Sequence, residues 1–136
     1  MMRNILGYTT LVALSLMMAP KPSAAHHALA AEFDFGKRGE FVGTLTKFAI
    51  INPHVRWYFD VKKPDGTVMK WELTAGSPST LRENGLLRIF TTGTTYKVTY
   101  MPARNGDPVG RVIDFIFPDG RTVTLFHQDP NNPNDL

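Results

Sequence analysis

The segment from His54 to Val61 alternates strictly: Val55, Trp57, Phe59 and Val61 are apolar, and His54, Arg56, Tyr58 and Asp60 stand between them. A side-chain period of two places the two sets on opposite faces of a strand, whereas a helix would scatter both around its axis. Lys63-Pro64-Asp65-Gly66 then supplies a turn, because proline holds φ at the first central position and glycine tolerates positive φ. Thr67 to Leu73 returns as a second strand, so residues 54–73 read as a hairpin. A hairpin alone is marginal in water, and further strands must cover its apolar face.

The rest of the chain provides them. Upstream, Phe41 to Ile50 is rich in β-branched and aromatic residues and is interrupted at Asn52-Pro53. Downstream, Ser77-Pro78 opens a short helix through Leu81, with Ser77 as N-cap, Pro78 at the first helical position and Asn84 or Gly85 as the stop. Strands follow at Thr94–Met101 and Val109–Phe117, and Pro118-Asp119-Gly120 turns into Arg121–Phe126. Three strands, one short helix between strands 3 and 4, then two or three strands describe a mainly β protein. The order suits a small antiparallel OB-like β-barrel, and six strands with a helical plug satisfy the same pattern. A barrel of this size fills its interior with side chains, so a ligand binds its outer face or rim. The expected division is a signal peptide at 1–25, an arm at 26–38 without firm structure, the barrel at 39–127 and a polar, proline-broken tail at 128–136.

Residues 1–25 carry Arg3, an apolar run from Ile5 to Met18 and the close Lys21-Pro22-Ser23-Ala24-Ala25, the three parts of a secretory signal. The run is shorter than the about 20 apolar residues of a membrane span, so no stable membrane insertion is expected after cleavage. A cut after Ala25 puts Ser23 and Ala25 at the small-residue positions, while a cut after Ala30 lies far from the apolar run. The first is preferred, and the mature chain is expected in the periplasm or secreted. The whole chain has 15 basic and 12 acidic side chains, a formal +3; loss of Arg3 and Lys21 leaves 13 against 12. Near-neutrality and export together lead to the expectation that nucleic acid is not a partner. The absence of cysteine removes disulfides, thiolate metal sites and cysteine nucleophiles, so stability must come from the core.

The chain has four histidines, His26, His27, His54 and His127. A cut after Ala25 would make His26 the first residue and offer its α-amino group and ring to one metal, with His27, His54 or His127 as further ligands. This resembles the histidine brace of copper proteins, and nitrogen-rich, cysteine-free sites suit Cu(II) or Ni(II). A cut one residue earlier would give Ala-His-His, which resembles an amino-terminal copper- and nickel-binding motif. The competing reading of the pair is an exposed chain start. Asn52-Pro53-His54 lies at a rim where it either caps a turn or lines a site. Met69, Trp71 and Met101 raise a softer, Cu(I)-type possibility against a plain core role. Asn52, Arg56, Tyr58 and Trp71 form the alternative, a metal-independent face for a partner protein or glycan. No nucleophile elbow, P-loop, dinucleotide fingerprint or zinc-protease motif is present, so no enzymatic activity is expected. The leading expectation is an exported barrel that binds a small ligand or a metal ion, copper being its most specific version.

Ala25-His26-His27, Ala31-Glu32-Phe33-Asp34, Gly43-Thr44-Leu45-Thr46-Lys47-Phe48, Asn52-Pro53-His54, Lys70-Trp71-Glu72-Leu73, Leu81-Arg82-Glu83-Asn84-Gly85 and Pro102-Ala103-Arg104-Asn105-Gly106 occur in this order. Together they resemble small exported bacterial proteins of the domain of unknown function 6152 family. The resemblance implies an exported one-domain protein and assigns no activity. Where many such proteins carry a serine after the histidine pair, Ala28 stands here.

Overall fold

A computed structural model describes residues 28–126. Its elements are strands β1 (Gly39–Ile50), β2 (Val55–Lys62) and β3 (Val68–Thr74), helix α1 (Pro78–Glu83), a 3₁₀ turn (Leu86–Arg88), and strands β4 (Thr95–Pro102), β5 (Val109–Ile116) and β6 (Thr122–Thr124). Neighbours along the sheet run β3-β2-β1-β4-β5-β6, and a further pairing of β3 with β5 closes the first five strands into a barrel. That closing pair is parallel and all others are antiparallel. Three strands, a helix and two strands closed in this way are the OB-type barrel. Of the two patterns the sequence allowed, five strands form the barrel, and β6 extends the sheet beyond β5.

β1 serves two partners: Gly39–Thr44 pairs with β4 and Thr44–Ile50 with β2. Its register shifts between Leu45 and Lys47, a bulge that bends the strand from one neighbour to the other. The close approach at the bend requires Gly43, where a Cβ would lie 3.0 Å from Val61 Cγ2 and 3.2 Å from Asp60 O. The interior is packed with Leu45, Trp57, Phe59, Tyr96, Val98, Val112 and Phe115, and partly buried Phe90 joins it with its ring centroid 4.8 Å from that of Phe115. Helix α1 is capped as the sequence suggests: Thr80 N donates to Ser77 Oγ at 3.3 Å, and Leu81 is buried at the barrel end.

The arm is where the structure adds most. Residues 28–32 are helical, and Phe33 bridges to Ala103 at the end of β4. Asp34 N donates to Pro102 O at 2.9 Å, Arg104 N to Glu32 O at 2.9 Å and Arg104 Nε to Ala30 O at 2.7 Å. Phe33 is 0% exposed and forms, with Met101 and Phe126, a second apolar cluster that Leu29, Phe35, Val109 and Ile113 complete. Since Tyr100 and Val112 belong to the inner core, Met101 and Arg111 beside them point outward. The arm therefore covers the outer face of β4 and β5.

Candidate functional site

The start of β2, the end of β3 and the start of β5 meet under the arm at one corner of the barrel. The register aligns Arg56, Thr74 and Arg111 in one row across these three strands, and sets Glu72 opposite Tyr58 and Val109. All lie on the outer face, because Trp57, Leu73 and Val112 between them belong to the core. A cavity of about 80 Å³ opens there, lined by Leu29, Glu32, His54, Arg56, Glu72 and Thr74 among others.

The polar groups of this corner fall into two sets. Arg56 Nη1 donates to Glu72 Oε1, and that pair is complete, with the side chains 43% and 29% exposed. His54 and Arg111 are not complete. His54 is half-buried and its Nδ1 is inaccessible and has no hydrogen-bond partner among the described residues; Arg111 Nε and Nη1 are in the same condition. Buried polar nitrogens in folded proteins nearly always have partners, so two such side chains at one corner mark it as a place for a missing group. Trp57 Nε1 is also unpartnered, but it is sealed in the core. Desolvation holds the Arg111 guanidinium below its ordinary pKa, and the charge of Glu32 opposes that effect.

The remaining candidates separate. Asn52 is exposed in the β1–β2 loop, where the Asn52–Pro53 peptide is cis. Tyr58 is half-buried on the outer face, with Lys47 Nζ 5.4 Å from its ring centroid, and Lys70 pairs with Asp60 at 2.5 Å beside it. Trp71 does not join this face. It lies opposite Phe59, and its ring centroid is 4.7 Å from that of Tyr100 and 5.3 Å from that of Phe41, so it packs on the core. Met101 sits in the cluster under the arm, apart from Trp71, and a methionine–tryptophan metal site is not assembled. His26, His27, His127 and the tail at 128–136 lie outside the described residues. Among the described residues no three His, Asp or Glu side chains are grouped to hold a metal ion. Likewise, no helix among them is long and apolar enough to cross a membrane.

Sequence reasoning missed Arg111 and Glu32. A signal for Arg111 was present: an arginine in an outward position between the apolar Val109 and Ile113 suggests a covered face. A larger open groove of about 430 Å³ lies between α1 and β6, lined by Leu81, Leu86, Val123 and Leu125. Its polar edge is already engaged, since Thr124 Oγ1 bonds Asp114 Oδ1 at 2.6 Å and Asn84 Nδ2 bonds Thr80 O at 2.8 Å.

The class so defined is a small OB-type barrel with an arm-covered polar corner. Within it the chain belongs to the Family of unknown function (DUF6152), whose profile matches residues 13–112. No curated protein matches it in sequence. Among solved structures it is similar to the crystal structure of a mitochondrial single-stranded DNA binding protein from S. cerevisiae, Rim1, at 14% identity and a TM-score of 0.49. That likeness covers 60% of this chain and 93% of the other. The exclusion of nucleic acid drawn from the sequence is corrected to an open question: the similar structure is that of a single-stranded DNA binding protein, a likeness of fold alone. The exclusion rested on export and on net charge, and net charge is an average over the chain that does not describe any local surface.

Proposed function

We propose that this chain is an exported, periplasmic binding protein for a small ligand or metal ion, copper being the form its donors favour. The observation that carries the reading is His54, whose buried Nδ1 lacks a partner among the described residues and which lines the corner cavity. Leu29 lines the same cavity and shares an apolar cluster with Phe126. His27 precedes Leu29 by two residues and His127 directly follows Phe126. Imidazole nitrogens without thiolate suit Cu(II), the tightest-bound divalent ion of its row.

The arm also supports the preferred cut. Leu29 O accepts from Phe33 N at 2.8 Å and Ala30 O from Arg104 Nε at 2.7 Å. Cleavage after Ala30 would remove both acceptors, whereas cleavage after Ala25 keeps them and leaves His26 with a free amino group. Intact and native mass spectrometry of the exported chain with added Cu(II) tests the proposal. The expected result is a chain beginning at His26 that takes up one copper and loses it in His26→Ala and in His54→Ala. Undiminished uptake in both variants, or none in the wild type, overturns it.

A further inference from the structure

Arg111 raises a question that a metal does not answer. It leaves β5 between Val109 and Ile113, both in the apolar cluster under the arm, and the Phe126 ring centroid lies 5.4 Å from its guanidinium carbon. A guanidinium stays charged at physiological pH, so burial of Nε and Nη1 without acceptors is not relieved by losing a proton. A buried charge of this kind requires an anion and hydrogen-bond acceptors. Glu32 supplies an opposing charge from the arm, yet its carboxylate is exposed and bonds neither of those nitrogens.

The surroundings define what fits. Thr74, opposite Arg111 in the parallel pair, and Val109, two residues before it, both line the corner cavity, so the two strand neighbours of the arginine border that space. Arg56 occupies the far end of the same row, about 10 Å away across two strand spacings. A cavity of about 80 Å³ holds a few waters, which limits the buried part of a ligand to one small group.

We propose that Arg111 anchors an oxyanion subsite at this corner, which takes the carboxylate or phosphate group of a small molecule with Thr74 and Arg56 on its far side. The flat donor fork of arginine matches both groups, and Glu32 holds the place electrostatically when the ligand is absent. The subsite does not depend on a bound metal. Its test therefore uses metal-stripped buffer without chelator, because common chelators are themselves carboxylates.

Acetate and inorganic phosphate are titrated separately into ¹⁵N-labelled mature protein at constant ionic strength, and the arginine Nε–H resonances are followed. The expected result is that one resonance, absent in Arg111→Lys, moves saturably with acetate, with phosphate or with both, which also distinguishes the carboxylate source from the phosphate source. Affinity read from the Thr74 and Val109 amides falls roughly tenfold or more in Arg111→Lys, as loss of a charged hydrogen-bonding fork requires. It rises in Glu32→Gln, where the competing carboxylate is gone. No saturable movement with either anion overturns the proposal, as does equal binding in Arg111→Lys. Should that variant fail to fold, unchanged or weaker binding in Glu32→Gln overturns it independently, because the Glu32 side chain is exposed and its backbone contacts remain.

Discussion

Phe33→Ala tests whether the arm is part of the folded domain. The Phe33 side chain is 0% exposed and packs with Met101 and Phe126 outside the barrel. Truncating a fully buried phenylalanine removes its transfer energy and leaves a cavity, together about 3–5 kcal/mol. Domain stabilities are about 5–15 kcal/mol, so the change is a large share of the total. Two routes lie open to the variant. If the arm and barrel unfold as one unit, urea denaturation shows a single transition displaced by about 3 kcal/mol or more. If the arm releases first, the barrel retains most of its stability, and trypsin cleaves at Lys37 and Arg38 under native conditions while sparing the strands. Either result requires Phe33 to hold the arm. Phe35, half-buried with its ring centroid 6.0 Å from that of Phe126, provides the comparison and should lose less when truncated. A Phe33→Ala protein within about 1 kcal/mol of wild type and equally resistant to trypsin would refute the reasoning, since a filled buried site cannot be emptied at so small a cost.

Gly110→Ala places a Cβ 2.7 Å from Tyr100 Cδ2 and 3.1 Å from Leu73 Cδ2, and the overpacking should cost about 1–3 kcal/mol in urea unfolding; an unchanged midpoint contradicts it. Tyr100 itself sets an alkaline limit, because burial pushes its phenol above the ordinary value near 10. The unfolded chain then loses this proton at lower pH than the folded one, so the stabilisation is whole below about pH 10 and is lost as pH rises through the folded pKa. Tyr100→Phe keeps the ring packing and removes this limb, so the stability difference between wild type and variant should change as pH rises above about 10; a constant difference there would show that the phenol does not contribute.

Arg111 and His54 give the corner its chemical character in complementary ways. The arginine seeks an acceptor and the imidazole offers a nitrogen, while the Arg56–Glu72 pair at the same corner is already formed. Charges on the neighbouring β2–β3 face are also engaged, Lys70 with Asp60 and Lys47 over Tyr58. The corner, more than that face, has unmet bonding capacity.

Local pattern was enough for the hairpin, for the Ser77-Pro78 helix start and for the strand order that implies an OB-type barrel. Alternation, caps and turn residues act between near neighbours in the chain, and their physics is complete within a few residues. The face of Trp71 was legible too, since Met69, Trp71 and Leu73 alternate against Lys70 and Glu72. Grouping Trp71 with Tyr58 overlooked that period. The bulge of β1 was not legible, because it lets Leu45 and Phe48 both pack inward across a break in alternation. Only tertiary structure decided that β3 closes on β5, that β6 stays outside the barrel and that the arm lies over β4 and β5. Those outcomes depend on which distant apolar surfaces meet, and Phe33 carries no local mark that its partners are Met101 and Phe126. The same holds at the corner. His54, just before β2, and Arg111, in β5, are ordinary residues far apart in sequence, and they become unpartnered buried groups only when the barrel brings these segments together and the arm covers the junction.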